Sequence, residues 1–364
     1  MYIHQLNNWN DFRYNSKELV SALAQVRYMQ GRLLGEMQGL GFSHREEALL
    51  TTLTLDVLKS TEIEGELLNK DQVRSSIARR LGLNISGMIN STRDVDGVVE
   101  MMLNATQSYN EPLTHERLFG WHAALFPTGW SGMYRIEVGK YRTGEMQVVS
   151  GAMGKERVHY EAPKPELLDD EMEKFLSWFN NELSLDSVVK AAIAHLWFIT
   201  IHPFDDGNGR IARAITDMLL ARSDGSSQRF YSMSNQILNK RKEYYDILEK
   251  TQHGNGDITK WILWFVECLK ESLLSTETLL DSILIKARFW DRHAQTLLNE
   301  RQQTMLNKLL DGFDGKLTSG KWAKITKCST DTALNDIKDL IGKEILCKAE
   351  DGGRSTNYIL KIVK

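Results

Sequence analysis

From Val188 to Ile201 the chain is apolar on almost every side of a helix, with Val188, Val189, Ala192, Ile193, Leu196, Trp197 and Ile199 leaving no face suited to water. Such a helix has to lie at the centre of a fold large enough to surround it. Pro203 stops it, because proline has no amide to continue the ladder. Ile211, Ala214, Ile215, Met218 and Leu219 then recur at helical spacing, so a second helix begins around Asn208, whose side chain is a preferred N-cap. The prediction is a mainly α fold built on a helix, a short loop and a second helix.

The loop between them carries chemistry. The run is His202-Pro203-Phe204-Asp205-Asp206-Gly207-Asn208-Gly209-Arg210-Ile211-Ala212-Arg213. The first amides of a helix lack intrahelical partners and carry the positive end of its dipole, so the start of the second helix is an anion site. Gly207 and Gly209 allow the backbone to turn successive N–H groups inward and a phosphate to come close. Asp206 is a natural ligand for the divalent cation that accompanies a di- or triphosphate. Arg210 and Arg213 lie three positions apart and can both reach phosphate oxygens. His202 is placed to take a proton from an attacking hydroxyl.

The run resembles the pattern His-x-Phe-x-Asp/Glu-Gly-Asn-Gly-Arg-x-x-Arg of Fic-domain proteins. The resemblance implies transfer of AMP from ATP, with Mg²⁺ or Mn²⁺, to a Ser, Thr or Tyr hydroxyl of target proteins and of the chain itself. It makes His202 the general base, Phe204 a core anchor for the loop and Asp206 the metal ligand. Gly207, Asn208 and Gly209 form the anion nest, and Arg210 and Arg213 bind the outer phosphates. A related kinase-like toxin type, Doc, has a lysine where this chain has Gly209, which favours nucleotidyl over phosphoryl transfer. The implied fold is a Fic helical core with a small β-hairpin flap, a helical N-terminal domain and a C-terminal winged-helix-like α+β domain.

Ser60-Thr61-Glu62-Ile63-Glu64-Gly65 fits the family's inhibitory pattern Ser/Thr-x-x-x-Glu-Gly/Asn. Leu53, Leu55, Leu58 and Ile63 make the segment an apolar-faced helix, and Gly65 suits its end. The resemblance pairs Glu64 with Arg213 in place of the γ-phosphate, with Ser60 supporting. Gln147–Ser150 and Arg157–Tyr160 are β-prone runs joined by a Gly-containing turn. The resemblance makes Val148, Val149, Ser150 and Gly151 part of the flap that docks a target segment as an added strand. Tyr244, Tyr245 and Gln252 precede a helix that resembles the family's adenine- and ribose-contacting one.

The expected division is a helical N-terminal domain (1–90), a catalytic core (91–275), a helical connector (276–299) through Leu279, Leu280, Ile283, Leu284 and Trp290, and a winged-helix-like domain (300–364). The last has helices around Met305–Leu310, Trp322–Ile325 and Thr330–Ile341, then two strands about Asp351-Gly352-Gly353. Residues 301–364 hold twelve Lys and Arg against eight Asp and Glu. Asp331, Asp336 and Asp339 on the candidate recognition helix would repel phosphates, which favours a protein-interaction or packing role over DNA binding. A homodimer is compatible with the sequence. Cys268, Cys328 and Cys347 lack paired spacing, so neither a disulfide framework nor a zinc site is expected. The first residues show no secretory pattern and no apolar run approaches the ~18 residues of a membrane span, so a cytoplasmic chain is expected. Two other readings of the same residues stay open: a winged-helix regulator that uses the core as a nucleotide sensor, and removal of AMP from modified proteins with Glu64 orienting water.

Overall fold

The computed structural model describes residues 1–39, 41–83, 85, 87–151, 157–310, 312–313, 315–349 and 356–361. Contacts divide the chain into a unit Met1–Glu277 and a unit Thr278–Lys364.

In the first unit the helices are α1 (Ser16–Gln38), α2 (Phe42–Ile63), α3 (Lys70–Leu81), α4 (Arg93–Gln107), α5 (His115–Leu125), α6 (Leu168–Asn181), α7 (Ser187–Ile201), α8 (Asn208–Asp224), α9 (Met233–Asn239) and α10 (Arg241–Gln252). The division falls within α11 (Thr259–Arg292). Two antiparallel hairpins interrupt the helices, β1 (Trp130–Ser131) with β2 (Tyr134–Arg135), and β3 (Gln147–Ser150) with β4 (Arg157–Glu161). The Gly-containing turn expected between β3 and β4 lies, apart from Gly151, outside the described residues.

Helix α7 is the centre that its composition requires: every residue from Val188 to Ile201 is buried. Asp186 caps it, accepting from the amides of Val188 (2.8 Å) and Val189 (3.3 Å). Its two strongly polar positions are satisfied rather than excluded. Lys190 donates to the carbonyls of Phe179 (2.6 Å) and Glu182 (2.5 Å) at the end of α6. Burial lowers its pKa to about 8. His195 lies between the hydroxyls of Thr216 on α8 (2.9 Å) and Tyr244 on α10 (2.8 Å). Thr216 gives its own proton to the Ala212 carbonyl, so His195 Nδ1–H donates to Thr216 and Tyr244 donates to His195 Nε2. Helix α8 packs along α7 and α6 lies against another side of it, while α4, α5, α2 and α9 pack on α8. From the N-terminal segment, Trp9 and Phe12 pack edge-on against Trp197.

Among the described residues of the second unit are α12 (Glu300–Leu310), α13 (Ser319–Thr326), α14 (Thr330–Gly342) and an antiparallel pair, β5 (Leu346–Lys348) with β6 (Tyr358–Leu360). Trp322, Met305, Leu306, Ile337 and Leu340 form its core. The order of elements agrees with the expectation, while Asp351-Gly352-Gly353 and the side chains of Leu279, Ile283 and Leu284 lie outside the described residues. Asp336 is bound by Arg301 (2.8 Å) and Asn299 (2.8 Å), and Asp339 by Lys343 (2.5 Å) and Gln302 (2.7 Å). Two of the three α14 aspartates are thus neutralised within their own unit. The three cysteines are free, and no helix among the described residues is long and apolar enough to cross a membrane.

Helix α5 supplies the aromatic wall of the loop after α7, and its distance from α4 is set by one residue. A Cβ at Gly97 would lie 1.7 Å from the Ala124 carbonyl oxygen. Gly97→Ala should therefore push the two helices apart and destabilise the first unit by about 1–3 kcal/mol. Urea unfolding would register this as a lowered midpoint, and an unchanged midpoint would refute the close contact.

Candidate active site

The turn out of α7 is made by His202 itself, in the left-handed conformation (φ 51°, ψ 59°), with its amide bonded to the Phe198 carbonyl at 3.0 Å. A non-glycine residue holds such a conformation only when its surroundings enforce it. Here the enforcing residue is Arg142. Its Nε donates to the His202 carbonyl (2.9 Å), its amide to the Pro203 carbonyl (2.9 Å), and its two terminal nitrogens to the carbonyls of Gly144 (2.7 Å) and Pro163 (2.6 Å). A buried guanidinium spent wholly on backbone carbonyls is a clamp. In the sequence Arg142 is one arginine among many, with no local signal of this role.

The His202 ring donates from Nδ1 to the Ile199 carbonyl (3.2 Å), which leaves Nε2 with its lone pair. Burial lowers its pKa to about 4; the Ile199 bond and the charges of Glu64 and Asp206 oppose that, and Arg142 adds to it. The ring is therefore neutral at neutral pH. Phe204 is fully buried and stacks on His122 of α5 at 4.3 Å and 11°.

Asn208 differs from the expectation of an N-cap. Helix α8 does begin there, but Gly207 (φ 81°) is the cap. The Asn208 side chain reaches back instead, accepting from the Phe204 amide (3.0 Å) and donating to the Phe204 carbonyl (2.8 Å). This ties the loop shut and leaves the first amides of α8 without a side-chain cap. Asp206 accepts from the Gly207 amide (2.5 Å) and from the Ser131 hydroxyl on β1, with its side chain 43% exposed.

Both arginines of the run are buried and both meet glutamates, Glu64 at the end of α2 and Glu66 just beyond it. Arg213 donates to the Ser60 hydroxyl (2.9 Å), the Ser60 carbonyl (2.7 Å) and Glu64 Oε1 (2.6 Å). Burial alone would lower its pKa; the Glu64 carboxylate outweighs that and raises it. A Cβ on Gly209 would lie 2.2 Å from Glu64 Oε1 and 3.2 Å from Arg213 Nη1, so the carboxylate rests against the opening turn of α8. Arg210 lies over the Phe126 ring (5.1 Å) and donates to Glu66 (3.0 Å). Sequence reading missed Glu66. Its spacing beyond Glu64, beside the spacing of the two arginines, was the available signal. Arg210 Nε and Arg213 Nη1 are buried without a hydrogen-bond partner, two donors that a bound anion would satisfy.

A cavity of about 800 Å³ joins these parts. Its wall includes His202, Asp206, Gly207, Asn208, Gly209 and Glu64, the strand β3 from Gln147 to Ser150, and Tyr244, Tyr245 and Gln252 from α10. Arg210, Arg213 and Ser60 stand behind this wall rather than in it, and Gly151 (φ 112°) follows the strand. Tyr244 is buried with its hydroxyl committed to His195, and Gln252 is buried with Nε2 3.4 Å from the Thr200 hydroxyl. Tyr245 is 39% exposed beside Arg241. Among the described residues no cluster of three or more His, Cys, Asp or Glu could hold a metal ion. A cation here would rest on Asp206 and on ligand oxygens, the usual manner for Mg²⁺ beside phosphates.

Comparison with known proteins agrees with this geometry. Residues 112–220 match the Fic/DOC family, and residues 2–83 match a domain of unknown function, DUF4172. A probable protein adenylyltransferase of Aquifex aeolicus is 27% identical over 166 residues, covering 46% of this chain and 45% of its own length. The protein adenylyltransferase Fic of Nematostella vectensis is 23% identical over 223 residues, covering 60% and 47%. The chain thus spans under half the length of these curated relatives. A Fic family protein from Desulfovibrio desulfuricans G20 has a similar fold (TM-score 0.53, 19% identity, 94% of this chain and 95% of that one). So does a Fic domain containing signalling protein from Bacteroides thetaiotaomicron (TM-score 0.53, 23% identity, 72% and 96%). Motif, helical fold and loop geometry converge on one conclusion: this chain carries a Fic domain of the Fic/DOC family, centred on residues 112–220.

Proposed function

We propose that the chain is a protein adenylyltransferase, moving AMP from ATP to a Ser, Thr or Tyr hydroxyl of a target protein and of itself, and that Glu64 restrains it. The observation that carries this reading is the Glu64 carboxylate resting on the first turn of α8 while bonded to buried Arg213. A carboxylate stands where the chemistry of the loop calls for an anion.

In this reading the amides of Gly207, Asn208 and Gly209 take phosphate oxygens of ATP. Arg210 and Arg213 satisfy their free donors on the outer phosphates. Asp206 would hold Mg²⁺ or Mn²⁺, which offsets phosphate charge when bound. Tyr244, Tyr245 and Gln252 line the nucleoside end, Tyr245 by its exposed ring and the other two as wall. A target segment lies along β3, past Val148, Val149, Ser150 and Gly151, and presents its hydroxyl to His202. The hydroxyl oxygen bonds to the α-phosphorus, its proton passes to His202 Nε2, and pyrophosphate leaves. Ser60 holds Arg213 from behind. Residues 1–90 supply the restraint and 91–275 the chemistry, with 276–299 as connector and 300–364 as a winged-helix-like module for protein interaction or packing.

His202→Ala should lower transfer of label from the α-phosphate of ATP to added protein by about 10²–10⁴-fold with the fold unchanged. Incorporation of γ-label alone would overturn the reading. Because the folded pKa of His202 lies near 4, its base form is lost only as pH falls towards that value. The acid limb of kcat/KM should therefore lie well below pH 6, and a limb at the ordinary histidine value would show that another group is the base.

Glu64→Gly should raise activity at least tenfold, since misplacement of a reacting phosphate by about 1 Å can cost ~10²-fold in rate. The gain should vanish in Glu64→Gly with Arg213→Ala, because the freed arginine is what release exposes. Calorimetry with ATP on the same variants checks the cause. A Glu64→Gly chain no more active than the parent would reduce α2 to a structural element.

A further inference from the structure

Ser150, His159 and Glu249 form a hydrogen-bonded chain on the wall of the same cavity. Glu249 Oε2 lies 2.7 Å from His159 Nδ1, and His159 Nε2 lies 2.5 Å from Ser150 Oγ. Protons can be assigned by elimination. The pKa of Glu249 is lowered by its bonds to His159 and Arg157, so it is an ionised carboxylate and can only accept. His159 Nδ1 therefore carries a hydrogen; in the neutral ring Nε2 then holds the lone pair, and the Ser150 hydroxyl donates to it. A serine donating to a histidine that is oriented by a carboxylate is the arrangement that activates a hydroxyl for attack.

The backbone is shaped to give this alignment. Val148 pairs with Tyr160 and Val149 with Val158, so the register skips His159, the extra residue of a β-bulge. Bulges re-aim side chains, and this one sends His159 between Ser150 and Glu249. Fastening the hairpin to α10 does not require Ser150. Arg157 already holds Glu249 at 2.5 Å, and the Ser150–His159 bond joins two residues of the hairpin itself.

We propose that Ser150 is the hydroxyl that the chain modifies on itself, with His159 as its base; this rests on the reading of the chain as an adenylyltransferase. Ser150 Oγ bonds to the α-phosphorus of ATP held in the same cavity. The bond from that phosphorus to the bridging oxygen of the β-phosphate breaks, pyrophosphate leaves, and the serine proton passes to His159 Nε2. The imidazolium that forms is stabilised by Glu249. Because acceptor and donor sites share one cavity, the reaction runs within a single chain.

The test is to incubate the full-length Glu64→Gly chain with α-labelled ATP and Mg²⁺ and to map the label after tryptic digestion. The peptide 143–155 holds only Thr143 and Ser150 as acceptors. The expected result is AMP on Ser150, appearing at a first-order rate that does not change with protein concentration. Ser150→Thr should keep label on this peptide, Ser150→Ala should remove it, and His159→Gln should slow it at least tenfold. Label confined to other residues, a rate that rises with protein concentration, or an unchanged rate in His159→Gln overturns the inference while leaving AMP transfer in place. Absence of α-label from the chain and from added proteins alike overturns both.

Discussion

A guanidinium buried to 2% exposure has to have its charge and its donors met by its surroundings, and Arg213 imposes that demand on everything around it. Three of its contacts come from the last turn of α2, two through Ser60 and one through Glu64. The packing of α2 against α8 and α9 is thus tied to an electrostatic requirement as well as to apolar burial. The same requirement makes the end of α2 part of the cavity wall, through Glu64. Whatever anion enters to satisfy the free Nη1 of Arg213 meets a carboxylate already competing for the same charge.

The parts of this arrangement that were legible in the sequence are those set by neighbours along the chain. All-round hydrophobicity placed α7 at the centre, Pro203 and the glycines marked the loop, and the residues from Ile211 onward announced α8. Ser60 and Glu64 were legible because they fit the family's inhibitory pattern, whose spacing of one helical turn puts the two on one face. The order of elements in the second unit was readable from periodicity.

What escaped depends on contacts between distant segments. Arg142 reaches His202 across 60 positions, and its role exists only once that turn is folded. Glu66 finds Arg210 across 144 positions, and Glu249 finds His159 across 90. Asn208 shows the converse limit: propensity placed the helix start correctly, but a tertiary use of its side chain, closing the loop on Phe204, won over the local cap. The aspartates of α14 make the same point about charge, since Asp336 and Asp339 are spent on partners that a count along the helix does not see.

One consequence follows from where Glu64 stands. It is the residue that closes α2, with Gly65 turning away after it at φ 88°. An acidic side chain at the carboxyl end of a helix faces the negative pole of that helix, an unfavourable placement costing about 0.3–1 kcal/mol. The same carboxylate lies against the amino end of α8, where the positive pole attracts it. The end of α2 is therefore held by its neighbour rather than by itself. The closing residue of α2 is thus seated by the helix it faces, against the pole of its own.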